Sequence, residues 1–153
     1  MKIYISASFA ARERLRPMRD RLFSMGHDVT SSWLDEITPA ENMDREVFEK
    51  KLAIKDLVEV SSADLLIQDT FTPSTTGDLY VEWGIGLGQF QRQQLWIVGP
   101  TLNVFHRLCD LQFQSWDELL EWVDPQVVYK AVKLEGSVAM AETEWLEREG
   151  NND

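Results

Sequence analysis

The chain has 153 residues, 44% hydrophobic and 27% charged, a length and balance that suit one soluble globular domain. The single cysteine, Cys109, excludes an intrachain disulfide. No apolar run approaches the ~20 residues of a membrane span and the N-terminus has no signal-peptide core, so the expected location is the cytoplasm. A net charge of −11 argues against a sequence-independent grip on a nucleic acid polymer.

In chain order, Lys2-Ile3-Tyr4-Ile5-Ser6-Ala7 predicts a short buried strand. Residues 10–25 predict a helix, with Leu15, Met18, Leu22 and Met25 as one apolar stripe. Pro17 suggests that its regular part starts near Arg16, and Gly26 is its expected C-cap. A second strand is expected from Val29 to Leu34. A long helix over 40–62 follows, with Met43, Val47, Leu52, Ile54, Leu57 and Val58 available for packing. Ala63 to Gln68 is a third, apolar strand of the kind buried on both faces in a parallel sheet.

A Thr-, Ser- and Pro-rich loop, 69–76, leads to a helix over 77–92, and Leu95 to Val98 is a fourth strand. Ser115 and Glu118 have the spacing of a capping box and open a helix over 115–123. A last helical stretch is expected over 126–147. Alternating strands and helices predict an α/β domain of three layers around a mostly parallel, doubly wound sheet of four to five strands, flavodoxin- or Rossmann-like. Residues 1–125 form that domain, and 126–153 are a helical extension and frayed acidic tail of it.

Ligands of open parallel sheets bind beyond the carboxyl ends of the strands. The segments that reach that edge, Ser6 to Phe9, Ser31 to Asp35, Asp69 to Asp78 and Gly99 to Phe105, are rich in hydroxyls, carboxylates and aromatic rings. Such a lining suits a sugar and a flat base, with Trp33 the candidate for contacting the base. Glu82 lies about one turn into the helix after the third strand, where the helix dipole favours an ionised carboxylate, although acidic residues there often serve only the helix.

Gly84, Gly86 and Gly88 in the same helix each cost about 1 kcal/mol relative to Ala and suggest a close approach to a neighbour. They do not form a dinucleotide fingerprint, and the chain has neither a Gly-Lys-Ser/Thr loop nor a Gly-x-Ser-x-Gly elbow. His106 and Cys109 lack the further ligands of a zinc set, so no metal is expected. Residues 1–26 carry six Lys or Arg against two Asp or Glu, a patch that is either a solvated helix face or a hold for one phosphate.

Lys2-Ile3-Tyr4-Ile5, Ser31-Ser32-Trp33-Leu34-Asp35, Ala53-Ile54-Lys55-Asp56-Leu57, Ala63-Asp64 and Gly77 through Gly84 resemble the nucleoside 2-deoxyribosyltransferases, as do Val98-Gly99-Pro100 and Asn103-Val104-Phe105-His106. The resemblance spans about residues 2–122. It implies that Glu82 is the nucleophile that forms a glycosyl ester, that Asp56 handles the proton on the base, and that Tyr4 positions the nucleophile. Asn103 and Phe105 would complete a neighbouring subunit's site, which implies a homo-oligomer. The substrates implied are a nucleoside or nucleotide and a free base, with no cofactor. The chemistry is that of retaining glycoside hydrolysis, two displacements on one carboxylate.

Two positions depart from the family's pattern. Asp78 stands where relatives have Gly, and Thr76 where they often have Asp or Ser. A hydroxyl at Thr76 is closer to the relatives that hydrolyse nucleoside 5′-monophosphates. Ser6, Ser8, Thr75, Thr76 and Arg12 are candidates to hold a phosphate, with Gly77 and Asp78 lining the same loop. Three readings therefore stay open: transfer of deoxyribose between bases, hydrolysis of deoxynucleoside 5′-monophosphates, and nucleotide binding without catalysis, the last favoured by Asp78.

Overall fold

The structure, a computed structural model, describes residues 1–36, 44–89 and 91–124. Five strands, β1 (Lys2–Ser6), β2 (Asp28–Val29), β3 (Leu65–Asp69), β4 (Gln94–Val98) and β5 (Leu111–Phe113), form one sheet. Its order is β2-β1-β3-β4-β5 and every pairing is parallel. This is the flavodoxin-like order, whose ligand-binding crevice lies where the winding reverses, between β1 and β3. The helices are α1 (Arg12–Ser24), α2 (Arg45–Ser62), α3 (Asp78–Leu87) and α4 (Trp116–Val123). α1 neighbours α4, and α2 packs on α3 against β1, giving three layers.

Ile3, Tyr4 and Ile5 of β1 and Leu65, Leu66 and Ile67 of β3 are fully buried. Burying such an aliphatic side chain contributes about 1.5–3 kcal/mol, so these two central strands anchor the core. At the end of β3 the buried Asp69 accepts two hydrogen bonds from Arg14, at 2.8 and 2.9 Å, and one from Trp116 Nε1 at 2.7 Å. It also accepts from the backbone N–H of Phe71. One carboxylate thus ties α1, α4 and the loop before α3 to the same strand end.

The structure corrects several sequence-based expectations. The second strand does not run to Leu34. It ends at Val29, and Ser32–Asp35 form a 3-10 turn. The reason is that side chains take over the pairing of β1 at Ile5: its N–H donates to Ser31 Oγ and its carbonyl accepts from Trp33 Nε1 at 2.8 Å. α1 starts at Arg12, so Pro17 sits inside it, on its exposed side, where water can reach the carbonyl left without a donor.

β5 falls within the expected four to five strands, but the sequence does not mark its position. Its three residues contain Gln112 and are too short for a periodic signal, yet they pair in register with Trp96 to Val98. Val47, Ile54, Leu57 and Val58 of α2 are exposed rather than packed in the core. Met43 and the expected helix over 126–147 lie outside the described residues.

α4 begins as its sequence suggests, with Ser115 Oγ accepting from Glu118 N–H and Glu118 Oε2 accepting from Gln114 N–H. Of the three glycines in and after α3, Gly86 is packed most closely. A Cβ there would lie 2.6 Å from Leu95 Cδ2 and 2.9 Å from Leu66 Cδ2, whereas Gly84 faces open space. Gly86 therefore lets α3 lie directly on β3 and β4. No helix among the described residues is long and apolar enough to cross a membrane.

Candidate active site

The loop after β3 turns into α3 at Gly77, whose φ of +81° is a left-handed conformation suited to glycine. This turn directs α3 back over the sheet, so that Glu82, in the second turn of the helix, faces the carboxyl end of β1. There Tyr4 Oη donates to Glu82 Oε1 at 2.7 Å and Ser6 Oγ donates to Glu82 Oε2 at 2.6 Å. Each carboxylate oxygen is held by one hydroxyl from the same strand. Ser6 is steadied by Gln68, whose amide donates weakly to Ser6 Oγ at 3.3 Å and strongly to the carbonyl of Leu79. Tyr4, Ser6 and Gln68 are all completely buried.

Glu82 opens onto a cavity of about 380 Å³ lined also by Ala7, Ser8, Phe9, Trp33, Phe48 and Asp56. Glu36, Leu52, Ser74, Thr76 and Asp78 complete the wall. A second cavity of about 610 Å³ continues between α2 and α3 and shares Leu52, Asp56, Thr76, Asp78 and Glu82. The aromatic rings Phe9, Trp33 and Phe48 and the hydroxyl and carboxyl groups of Ser74, Thr76 and Asp78 belong to the same lining. A flat base and a hydroxylated sugar can both be accommodated by such a surface.

Electrostatics separate the two central carboxyl groups from ordinary ones. Burial pushes Glu82 up to about 7, opposed by the hydrogen bonds from Ser6 and Tyr4 and reinforced by the charges of Asp56 and Asp78. Asp56 is pushed up to about 6, first by burial and then by Glu36, with Lys55 acting in the other direction. Its Oδ1 is buried and has no hydrogen-bond partner. Burial and the neighbouring Glu82 raise Tyr4 far above a free phenol, so Tyr4 remains a donor. Both carboxyl groups therefore titrate near neutrality, as acid–base and nucleophilic groups in clefts do.

Tyr4, Ser6, Ser8, Trp33, Asp56, Thr76, Asp78 and Glu82 are thus brought together, six of them directly on the cavity wall. Thr75 and Gly77 lie in the same loop but do not line it. Asn103 and Phe105 are also outside its wall. Asn103 caps the 3-10 turn Val104–Leu108 by accepting from Phe105 and His106 N–H, and Phe105 is 60% exposed. Phe48, Leu52 and Glu36 were not anticipated. α2 supplies the first two from its cavity side, and Glu36 pairs with Lys55.

Of the residues suggested for a phosphate, Ser6, Ser8, Thr75, Thr76 and Arg12, three have hydrogen-bond partners within the protein. Ser6 is committed to Glu82, and the hydroxyl of Thr76 donates to Asp78 Oδ2 at 2.7 Å. Arg12 donates to the carbonyl of Glu36 and lies against the ring of Phe9.

No protein-family model matches the sequence, and no curated protein matches it at the level of sequence. Solved structures do match the fold. A 2-deoxyribosyltransferase of the psychrotolerant bacterium Bacillus psychrosaccharolyticus superimposes with a TM-score of 0.62 at 16% identity, over 78% of this chain and 90% of that one. The fold is that of the nucleoside 2-deoxyribosyltransferases. A conserved protein of Enterococcus faecalis V583 shares it with a TM-score of 0.66 at 13% identity, over 82% of this chain and 98% of that one. A CMP N-glycosidase of Clostridium botulinum shares it at 0.52 and 14% identity, over 81% and 98%. On this fold, Glu82 sits in the crevice beside the winding reversal between β1 and β3.

Proposed function

We propose that the protein cleaves the N-glycosidic bond of a 2′-deoxynucleoside and transfers the deoxyribosyl group to another base. The observation that carries this reading is the carboxylate of Glu82, held on both oxygens by Tyr4 and Ser6 at the wall of a cavity that also contains Asp56. A Glu82 oxygen attacks C1′ as the C1′–N bond breaks. The bonding pair leaves with the base, which takes a proton from Asp56. In the second half, the nitrogen of an incoming base attacks C1′, its proton passes to Asp56, and Glu82 departs as a carboxylate. A sugar without a 2′-hydroxyl forms the oxocarbenium-like transition state more readily, which favours deoxynucleosides.

The likeness to a CMP N-glycosidase supports a second reading on the same groups, in which water replaces the incoming base and the ester is hydrolysed. The first half of the reaction is common to both. A cytoplasmic salvage role is part of the proposal, as is assembly into a homo-oligomer. The exposed Val104, Phe105 and Leu108 beside Asn103 support the latter as a surface through which one subunit would complete another's site.

The test is chromatography of products from a 2′-deoxynucleoside incubated with and without a second free base. A new nucleoside is the expected result, free deoxyribose indicates the hydrolase, and no loss of substrate contradicts both.

A further inference from the structure

We infer that Ser6, aligned by Gln68, helps the sugar leave Glu82, its hydroxyl donating to the departing carboxylate in the second half of the reaction. The inference rests on the reading of Glu82 given above. It adds Ser6 as a donor to the leaving group and Gln68 as a positioning residue that acts through Ser6.

Ser6 and Gln68 face each other across the parallel pairing of β1 and β3, and both are completely buried. The Gln68 amide is held in one direction, because its Nε2 donates to the carbonyl of Leu79 at the start of α3. Turned around, the amide oxygen would meet that carbonyl oxygen. The same nitrogen reaches Ser6 Oγ at 3.3 Å. A serine hydroxyl has a single proton. With Gln68 donating to Oγ, that proton is left for Glu82 Oε2, 2.6 Å away. Gln68 Oε1 is buried and has no hydrogen-bond partner among the described residues. The amide therefore acts through its donor end, which faces Ser6 and α3.

A hydrogen bond to an ionised carboxylate is stronger than one to a neutral ester. When the C1′–O bond to Glu82 breaks, its electron pair stays on the glutamate oxygen, and the charge spreads over both carboxylate oxygens. The bond from Ser6 strengthens as this happens, with no proton transferred. Tyr4 serves Oε1 in the same way. Among the described residues no Lys or Arg lines the cavity, so hydroxyl donors do what a cation would otherwise do. Once Glu82 is ionised, the Ser6 bond favours the free carboxylate over the ester. Its loss slows breakdown of the ester without slowing its formation.

The experiment follows the glycosyl ester on Glu82 by rapid acid quench and mass spectrometry. It is run at pH 9, well above the value of about 7 for Glu82, so that this group is ionised with or without Ser6. The protein is mixed with a 2′-deoxynucleoside, and ester formation is timed; a free base is then added, and breakdown is timed. Ser6→Ala should slow breakdown about tenfold and form the ester at least as fast as the unmodified protein, so that the ester accumulates. Gln68→Met, of similar length, leaves the Ser6 hydroxyl free to turn and should slow breakdown about threefold.

A role confined to packing, or to placing Glu82, would slow both steps together. Equal slowing of formation and breakdown in Ser6→Ala, or breakdown in Gln68→Met as fast as in the unmodified protein, would overturn the inference. Should Ser6→Ala fail to fold by circular dichroism, the result for Gln68→Met decides. If the unmodified protein forms no ester at all, the reading of Glu82 fails and this inference with it. An ester that forms normally and breaks down at an unchanged rate in the variants overturns this inference alone.

Discussion

Tyr4 and Glu82, 78 positions apart in the chain, meet through a 2.7 Å hydrogen bond from the phenol to Oε1. The bond joins a rigid central strand to a helix that reaches it through a glycine turn. It fixes one oxygen of the carboxylate while leaving the phenol protonated. Tyr4→Phe removes the donor without removing the ring. Because that bond lowers the affinity of Glu82 for its proton, its loss raises the pH at which Glu82 ionises. The expected result is a fall in kcat/KM of about ten- to a hundredfold at pH 7, with a lower maximum and the falling limb of the pH profile moved upward. An unchanged profile in Tyr4→Phe would show that the phenol does not act on Glu82.

The pH dependence of the reaction follows from two groups with opposite requirements. Glu82 must be ionised to attack, so activity is lost as pH falls below about 7. Asp56 must be protonated to serve the departing base, so activity is lost as pH rises above about 6. The productive form carries the proton on the stronger acid and is therefore a minority at every pH. The profile of kcat/KM should be a narrow bell with its apex between these values, its limbs belonging to the interacting pair. Asp56→Asn should lower the rate on the order of a hundredfold and abolish the falling limb. Activity still rising steadily through pH 9 would contradict the role of Asp56.

The raised proton affinity of Glu82 also appears in stability. In the folded chain it keeps a proton up to about pH 7, whereas its ordinary value is 4.5. Between those values the folded form binds more protons than the unfolded form, so this contribution to stability is fully present below 4.5 and is lost as pH rises to about 7. The loss is about 3 kcal/mol. Glu82→Gln removes the titration. Urea unfolding should find Glu82→Gln more stable than the unmodified protein at pH 8 by up to about 3 kcal/mol, and nearly equal to it at pH 4.5. A variant less stable at pH 8 would mean that the ionised carboxylate is comfortable where it lies.

Much of this arrangement was legible in the sequence for identifiable reasons. β1, β3 and β4 are short apolar runs buried on both sides, and that pattern is hard to mistake. Ser115 and Glu118 announce α4 because capping is local chemistry. That Tyr4 and Asp56 belong beside Glu82 is what the family resemblance implied; Tyr4 donates to Glu82, and Asp56 lines the same cavity.

What was not legible depends on contacts between distant segments. Ser31 and Trp33 replace a strand with side-chain hydrogen bonds to Ile5, which no periodicity encodes. β5 exists because β4 offers it an edge. Ser6 reads as a sugar contact in its segment, but folding turns its hydroxyl onto Glu82. Thr76 and Arg12 read as phosphate ligands until their partners, Asp78 and Glu36, are known.

The central claim is that Glu82 becomes covalently bonded to the sugar. The most direct measurement is mass spectrometry of protein quenched in acid during turnover of a 2′-deoxynucleoside, followed by peptide mapping. A mass increase of one deoxyribosyl group, located on Glu82 and missing from Glu82→Ala, is the predicted result. Continued turnover by Glu82→Ala, or an adduct on a different residue, would contradict it.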